Sequence, residues 1–238
     1  MYEEKIFVTS NDVDEHYKTK LSAIFKYLQQ VSTDHAELIG LGKKDTVEKG
    51  MFWVITRMKV VIHKLPEMLE TLTVTTHPGD LMLFVFPRFY EVYNEKGELV
   101  ISASSSWVLL DSNTHKLVTK PPVDYSLYIP EKSRDDIPIP EKINFEDIEK
   151  IETRKVRYSD IDLNSHLNNT KYIEYITDIH NTDFYRENYF KEIVINYEKE
   201  VMDNQEVELF SNNQIPEIVV GKVNGNTCFT AKITYSKR

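Results

Sequence analysis

A short pattern recurs within this chain at a fixed displacement. Asp12-Val13-Asp14, followed by Phe25-Lys26-Tyr27-Leu28, matches Asp160-Ile161-Asp162, followed by Ile173-Glu174-Tyr175-Ile176, 148 positions further on. Self-similarity at a domain-sized spacing marks a duplicated unit. It restricts the fold sharply, because whatever the first copy forms, the second must form too. The same order of elements is legible around each copy: a short strand, a long helix, then several long strands. Ile24, Leu28, Val31, His35 and Leu38 share one helical face in the first half. Tyr172, Ile173, Ile176 and Ile179 share one in the second, with Asn168 or Asn169 placed to cap that helix.

Residues 52–62, 72–76, 82–93 and 99–110 are rich in β-formers, with turns at Asn94-Glu95-Lys96-Gly97 and Asp111-Ser112-Asn113-Thr114. Residues 192–202, 206–211, 217–223 and 227–235 have the same character, and Asn224-Gly225-Asn226 predicts a hairpin turn. Between the halves, residues 121–150 carry Pro121, Pro122, Pro130, Pro138 and Pro140 without a sustained period, which reads as a proline-rich linker. A helix and a mainly antiparallel sheet, built twice, define an α+β protein with domains at 1–120 and 151–238.

Cys228 is the only cysteine, so an intramolecular disulfide and a cysteine-based metal cage are both excluded. No apolar run reaches the ~18 residues of a membrane helix. The N-terminal residues lack a secretion-signal pattern, and the expected location is the cytoplasm. A formal charge of −9 argues against nucleic acid as a partner. The small basic groups at Lys18 and Lys20, Lys43 and Lys44, and Arg154, Lys155 and Arg157 read as solvated surface.

The pattern that points to chemistry precedes the second helix, where Asp162, Asn164 and His166 stand two residues apart. In an extended segment such residues project to one side. Backbone N–H groups of the helix's first turn would face the same space and favour a developing negative charge. The first copy has His16 and Lys18 where the second has Asn164 and His166, so only the second half carries the trio. Taken singly, each residue has a plainer reading. Asp162 and Asn164 are residue types common in turns and caps, a lone histidine is more often surface or core, and Glu198-Lys199-Glu200 would pass for an exposed strand face.

The chain resembles the acyl-acyl carrier protein thioesterases, the plant fatty-acid chain terminators and their bacterial relatives, which consist of two hotdog folds in tandem. The likeness covers most of the chain. It rests on residues 53–61, on Ala103-Ser104-Ser105-Ser106-Trp107-Val108 and, most specifically, on residues 162–172. The resemblance implies a site of Asp162, Asn164, His166 and a strand-borne glutamate, Glu200. Plant members carry a cysteine after that glutamate, whereas this chain has Val201, and Cys228 lies far along the sequence. A thiolate nucleophile is therefore not expected, and attack by water is.

The implied function is hydrolysis of fatty acyl thioesters on acyl carrier protein, releasing free fatty acid, with no metal or other cofactor required. Glu200 or Asp162 would activate the water, His166 would orient it or shuttle a proton, and Asn164 would position a carboxylate; a transient acyl-carboxylate anhydride stays open. The resemblance places the acyl slot in the first domain, between helix and sheet, lined by part of 24–38 and 52–58. Trp53 and Trp107 are expected in core and inter-half packing. Alternatives are a hotdog hydrolase acting on acyl-coenzyme A, a non-catalytic acyl-binding hotdog protein and, with less support from the motif, a 3-hydroxyacyl dehydratase. Duplication would let a monomer function, and a homodimer stays open.

Overall fold

The computed structural model describes residues 1–120, 128–130 and 137–238. The chain divides into two compact units, Met1–Pro140 and Glu141–Arg238.

The first unit contains β1 (Tyr2–Phe7), α1 (Leu21–Leu38), β2 (Met51–Ile62), β3 (Thr71–Pro78), β4 (Phe86–Tyr93) and β5 (Leu99–Asp111). All its strand pairs are antiparallel, in the order β1-β3-β4-β5-β2. The helix stripe packs as the periodicity requires, with Ile24, Leu28, Val31 and His35 buried. Leu38 is the exception at 71% exposed, because it lies at the helix's last turn, beyond the sheet. The helix packs on β3 and β1, and Val60, Ile62, Leu72, Val74, Ile101 and Ala103 of the strands are buried as well. Residues 82–93 were expected to form one strand. Instead β4 begins at Phe86, and Met82 and Val85 close a tight turn around Leu83, whose φ is +56°.

The second unit contains β6 (Glu149–Lys155), α2 (Asn169–Thr177), α3 (Thr182–Glu187), β7 (Asn188–Tyr197), β8 (Glu206–Ser211), β9 (Glu217–Val223) and β10 (Asn226–Lys237). Its strands run β7-β10-β9-β8-β6, again antiparallel. Read from the opposite end this is the order of the first unit, element for element. The helix is shorter than its counterpart. It stops at Thr177, and Ile179 lies beyond it in the turn leading to α3. Asn224 and Gly225 both have positive φ at the β9–β10 hairpin, as a two-residue turn of this kind demands. Gly221 on β9 lies under the Phe229 ring, and a Cβ there would meet that ring at 2.0 Å.

Of the stretch read as a linker, residues 121–127 and 131–136 lie outside the described residues. The described remainder is packed. Ser104 donates its hydroxyl to the Pro138 carbonyl at 2.9 Å, and Arg57 donates to that of Pro140 at 3.3 Å. In the second unit Asn196 accepts from the Ile143 amide at 2.8 Å and donates to the Glu141 carbonyl at 3.1 Å. Among the described residues no helix is long and apolar enough to cross a membrane.

Candidate functional site

Residues 162–166 form a turn, not the extended segment their alternation suggested. Ser165 has a φ of +65°, and the Asp162 amide donates to the His166 carbonyl at 2.8 Å. The Asp162 carboxylate explains the shape. Its Oδ1 accepts from the amides of Asn164 at 2.8 Å and His166 at 3.2 Å, the local bonding by which aspartate stabilises turns. The first unit builds the same turn, where Asp14 Oδ1 accepts from His16 and Lys18 at 2.9 and 3.0 Å and Tyr17 has a φ of +60°.

This turn presents His166 to Glu200. The Leu167 amide donates to the Val201 carbonyl at 2.7 Å, and His166 bridges Met202 across the same short ladder. That register brings Glu200 Oε2 to 3.3 Å from His166 Nε2. Glu200 is not on a strand, because β7 ends at Tyr197. The Cys228 carbonyl accepts from the amides of Glu198 and Lys199, and the chain turns there. The charged run is divided by this turn: Glu198 accepts from Thr230, Lys199 donates to Asn226, and Glu200 faces the imidazole. The His166 side chain is 18% exposed and that of Glu200 36%, so the pair sits at the surface of its unit with water in reach. In the first unit the equivalent turn pairs Lys18 with Glu67, which occupies the register of Met202. The first unit thus has a lysine–glutamate pair where the second has an imidazole facing Glu200.

The four expected residues are therefore placed in three ways. His166 and Glu200 meet. Asp162 shapes the turn that carries His166. The Asn164 side chain is exposed and bonds to no described residue. Asn168 caps α2, its Oδ1 accepting from the Thr170 amide at 2.9 Å and its carbonyl from the Lys171 amide at 2.8 Å. Those two first-turn amides are engaged and do not serve as open donors. Tyr172, read from the sequence only as a core position, lies beneath the site against Tyr197 and Phe229. Burial pushes its hydroxyl well up; the charges of Cys228, Glu200 and Asp162 add to this and outweigh a bond with the Val201 backbone, so it stays a neutral donor. Burial also pushes the Cys228 thiol up, against its use as a thiolate. Val201, fully buried, carries no reactive atom. Among the described residues no group of three metal-ligating side chains is assembled.

Trp53 and Trp107 are half-buried in the first unit, around the cluster of Leu41, Phe86 and Tyr128. The Trp53 indole donates to the Leu41 carbonyl at 2.8 Å and meets Phe86 edge-on at 4.8 Å.

The repeated helix and antiparallel sheet, with the Glu200–His166 pair at the turn before the second helix, define an α+β protein of the tandem hotdog class. The family model for the acyl-ACP thioesterase N-terminal domain matches residues 1–124, and that for the acyl-ACP thioesterase C-terminal domain matches residues 145–237. This chain belongs to the acyl-ACP thioesterase family. It is 27% identical over 200 residues to the chloroplastic palmitoyl-acyl carrier protein thioesterase of Arabidopsis thaliana, covering 74% of this chain and 46% of that protein. To the chloroplastic oleoyl-acyl carrier protein thioesterase 2 of the same plant it is 26% identical over 255 residues, covering all of this chain and 69% of the relative. The chain thus spans about half to two-thirds of the length of these relatives. Two solved structures share the fold. An acyl-ACP thioesterase from Bacteroides thetaiotaomicron superposes with a TM-score of 0.91 at 22% identity, covering 99% of this chain and 97% of that one. The 12:0-ACP thioesterase from Umbellularia californica gives 0.85 at 19%, covering 100% and 97%.

Proposed function

We propose that this protein hydrolyses fatty acyl thioesters borne by acyl carrier protein, yielding the free fatty acid and the carrier's thiol. Membership of the family supports the substrate class. The 3.3 Å contact between His166 Nε2 and Glu200 Oε2 carries the chemistry. In this reading the Glu200–His166 pair takes a proton from water, and the water oxygen bonds to the thioester carbonyl carbon. The tetrahedral intermediate then expels the carrier's sulfur, which leaves with the proton the pair returns. Glu200 is preferred to Asp162 as base because both backbone amides of the turn already load Asp162 Oδ1. Asp162 acts as a positioning residue, and Asn164, with its side chain exposed, is assigned to the substrate. Acid–base assistance of this kind is worth ~100- to 10,000-fold in rate. The acyl chain is assigned to the first unit, beside α1, and the protein to the cytoplasm.

The reading is tested by hydrolysis of an acyl-ACP series by the wild type and by His166→Ala and Glu200→Ala. Each variant is expected to lose at least ~100-fold in kcat. Folded variants with unchanged rates would overturn the site. A wild type that prefers acyl-coenzyme A at equal chain length would overturn the carrier assignment.

A further inference from the structure

The end of the second unit that holds the Glu200–His166 pair shows large apolar residues to solvent. Two segments, 156–167 and 201–205, run side by side there. The Val156 amide donates to the Gln205 carbonyl at 2.9 Å, and the Leu167 amide to the Val201 carbonyl at 2.7 Å. Tyr158, Leu163 and Met202 stand on these segments at 92%, 94% and 42% exposure, and the first two are the most exposed large apolar residues among those described. Leu163 lies inside the turn that carries His166, and Met202 bridges His166 two residues beyond Glu200. Arg157, Asn164 and Asp203, all exposed, border them with polar side chains.

The duplication supplies an internal control. At the displacement of 148, Tyr158 and Leu163 correspond to Ser10 and Glu15, and the bridge registers set Met202 against Glu67. All three first-copy residues are polar and exposed. The first copy nonetheless builds the same turn, bonding through Asp14 as the second does through Asp162. The turn therefore does not require apolar side chains at these positions. Two exposed apolar residues of the first copy, Tyr17 and Leu69, fall instead where the second has Ser165 and Asn204. Apolar character occupies the positions of Tyr158, Leu163 and Met202 in the copy that holds the Glu200–His166 pair.

Apolar residues scattered singly over a surface carry no message, but grouped and rimmed by polar ones they mark an interaction site. The reaction indicates the occupant. A thioester borne on a protein must bring its carbonyl to the Glu200–His166 pair, so the carrier's own surface comes to rest on the residues around that pair. Tyrosine, methionine and arginine are favoured at protein contacts. Three apolar side chains fall well short of the ~800 Å² per partner of a stable interface, which suits a carrier that must leave after each turnover.

We propose that Tyr158, Leu163 and Met202 form the surface on which the protein part of the acyl carrier protein docks. This rests on the acyl-thioesterase reading above. Tyr158→Ser and Leu163→Glu place the first copy's residues on the second copy's surface, and the first copy shows them to be compatible with the turn.

Hydrolysis is compared for dodecanoyl-ACP and for dodecanoyl-N-acetylcysteamine, which has the same thioester without the protein. The ratio of kcat/KM on the two substrates is expected to fall at least about fivefold in each variant, mainly through KM for the carrier substrate. A ratio unchanged in one variant removes that residue from the surface. A ratio unchanged in both, or a wild type that cleaves the two substrates with equal kcat/KM, would overturn the docking surface and leave the thioesterase reading intact. Variants that turn a wild-type dimer into monomers with the ratio unchanged would give the patch to a second copy of the chain. Binding of fluorescently labelled holo-acyl carrier protein, followed by anisotropy, does not depend on turnover. A Kd raised at least about fivefold in the folded variants supports the surface even if no thioester is cleaved, a result that would sink only the proposed function. Equal affinity for wild type and variants would overturn the surface.

Discussion

Glu200 and Asp162 are both acidic and both reach His166 in space, yet they have different work. Glu200 contacts the imidazole, whereas Asp162 accepts from two backbone amides. Conservative changes should separate them. Glu200→Gln keeps the shape and removes the base, and kcat is expected to fall at least ~100-fold with a smaller change in KM. Asp162→Asn keeps an acceptor for the turn and should retain most activity. Asp162→Ala should lose about 1–2 kcal/mol in urea unfolding, the ordinary cost of stranding local donors. Equal kinetic losses in Glu200→Gln and Asp162→Asn would show that Asp162 does chemistry as well. Cys228 gives a third residue-scale prediction. Its buried thiol is pushed up, so Cys228→Ala should cost stability but leave kcat/KM within about twofold, read from steady-state rates.

At the level of elements, the α2–α3 connection is tied to β9 and β10 through Glu217, which is 3% exposed. Its Oε2 lies 2.8 Å from His180 Nε2 and accepts from Tyr235 at 2.8 Å, and its Oε1 accepts from Ser211 at 2.9 Å. Burial alone would push this carboxyl up, but the bonds from His180, Tyr235 and Ser211 outweigh it and hold it below the ordinary 4.5. Folding therefore depresses this group. Its contribution is present in full above the unfolded-state value and lost as pH falls through the lower folded value. Glu217→Gln is expected to cost about 2–3 kcal/mol at neutral pH, a deficit that shrinks as the wild type is titrated below about 4.5 in urea melts. A deficit constant with pH would show that packing, not charge, holds the cluster. None of this was legible beforehand, because His180, Ser211, Glu217 and Tyr235 share no local pattern and meet only when α2, β8, β9 and β10 assemble. The elements themselves were far more legible. The hairpin at Asn224-Gly225, the α1 stripe and β8 and β9 follow from period and turn chemistry. The long 82–93 run did not, since hydrophobicity alone cannot separate an apolar turn from the strand it enters.

For the whole molecule, the duplication extends below the sequence match that reveals it. Tyr17 and Ser165 have positive φ in equivalent turns, as do Leu69 and Asn204 in the turns that follow Glu67 and Met202, though the residue types differ. Backbone geometry has outlasted side-chain identity. That is why the second copy could keep His166 beside Glu200 while the first holds Lys18 beside Glu67. The sequence placed the trio and the glutamate in one half but mistook how they meet, because alternation assumes an extended backbone and Asp162 folds it into a turn. A first half with no counterpart of the Glu200–His166 pair should contribute no turnover of its own. Lys18→Ala and Glu67→Ala are accordingly expected to change kcat by less than about threefold, a contrast with the ~100-fold expected at His166.

The most direct measurement is single-turnover hydrolysis of an acyl-ACP thioester by the wild type and Glu200→Gln, followed by release of the carrier's thiol. The wild type should clear the thioester, and the folded variant should do so at least ~100-fold more slowly at saturating enzyme. Equal single-turnover rates would contradict the assignment of Glu200 and His166 as the pair that activates water.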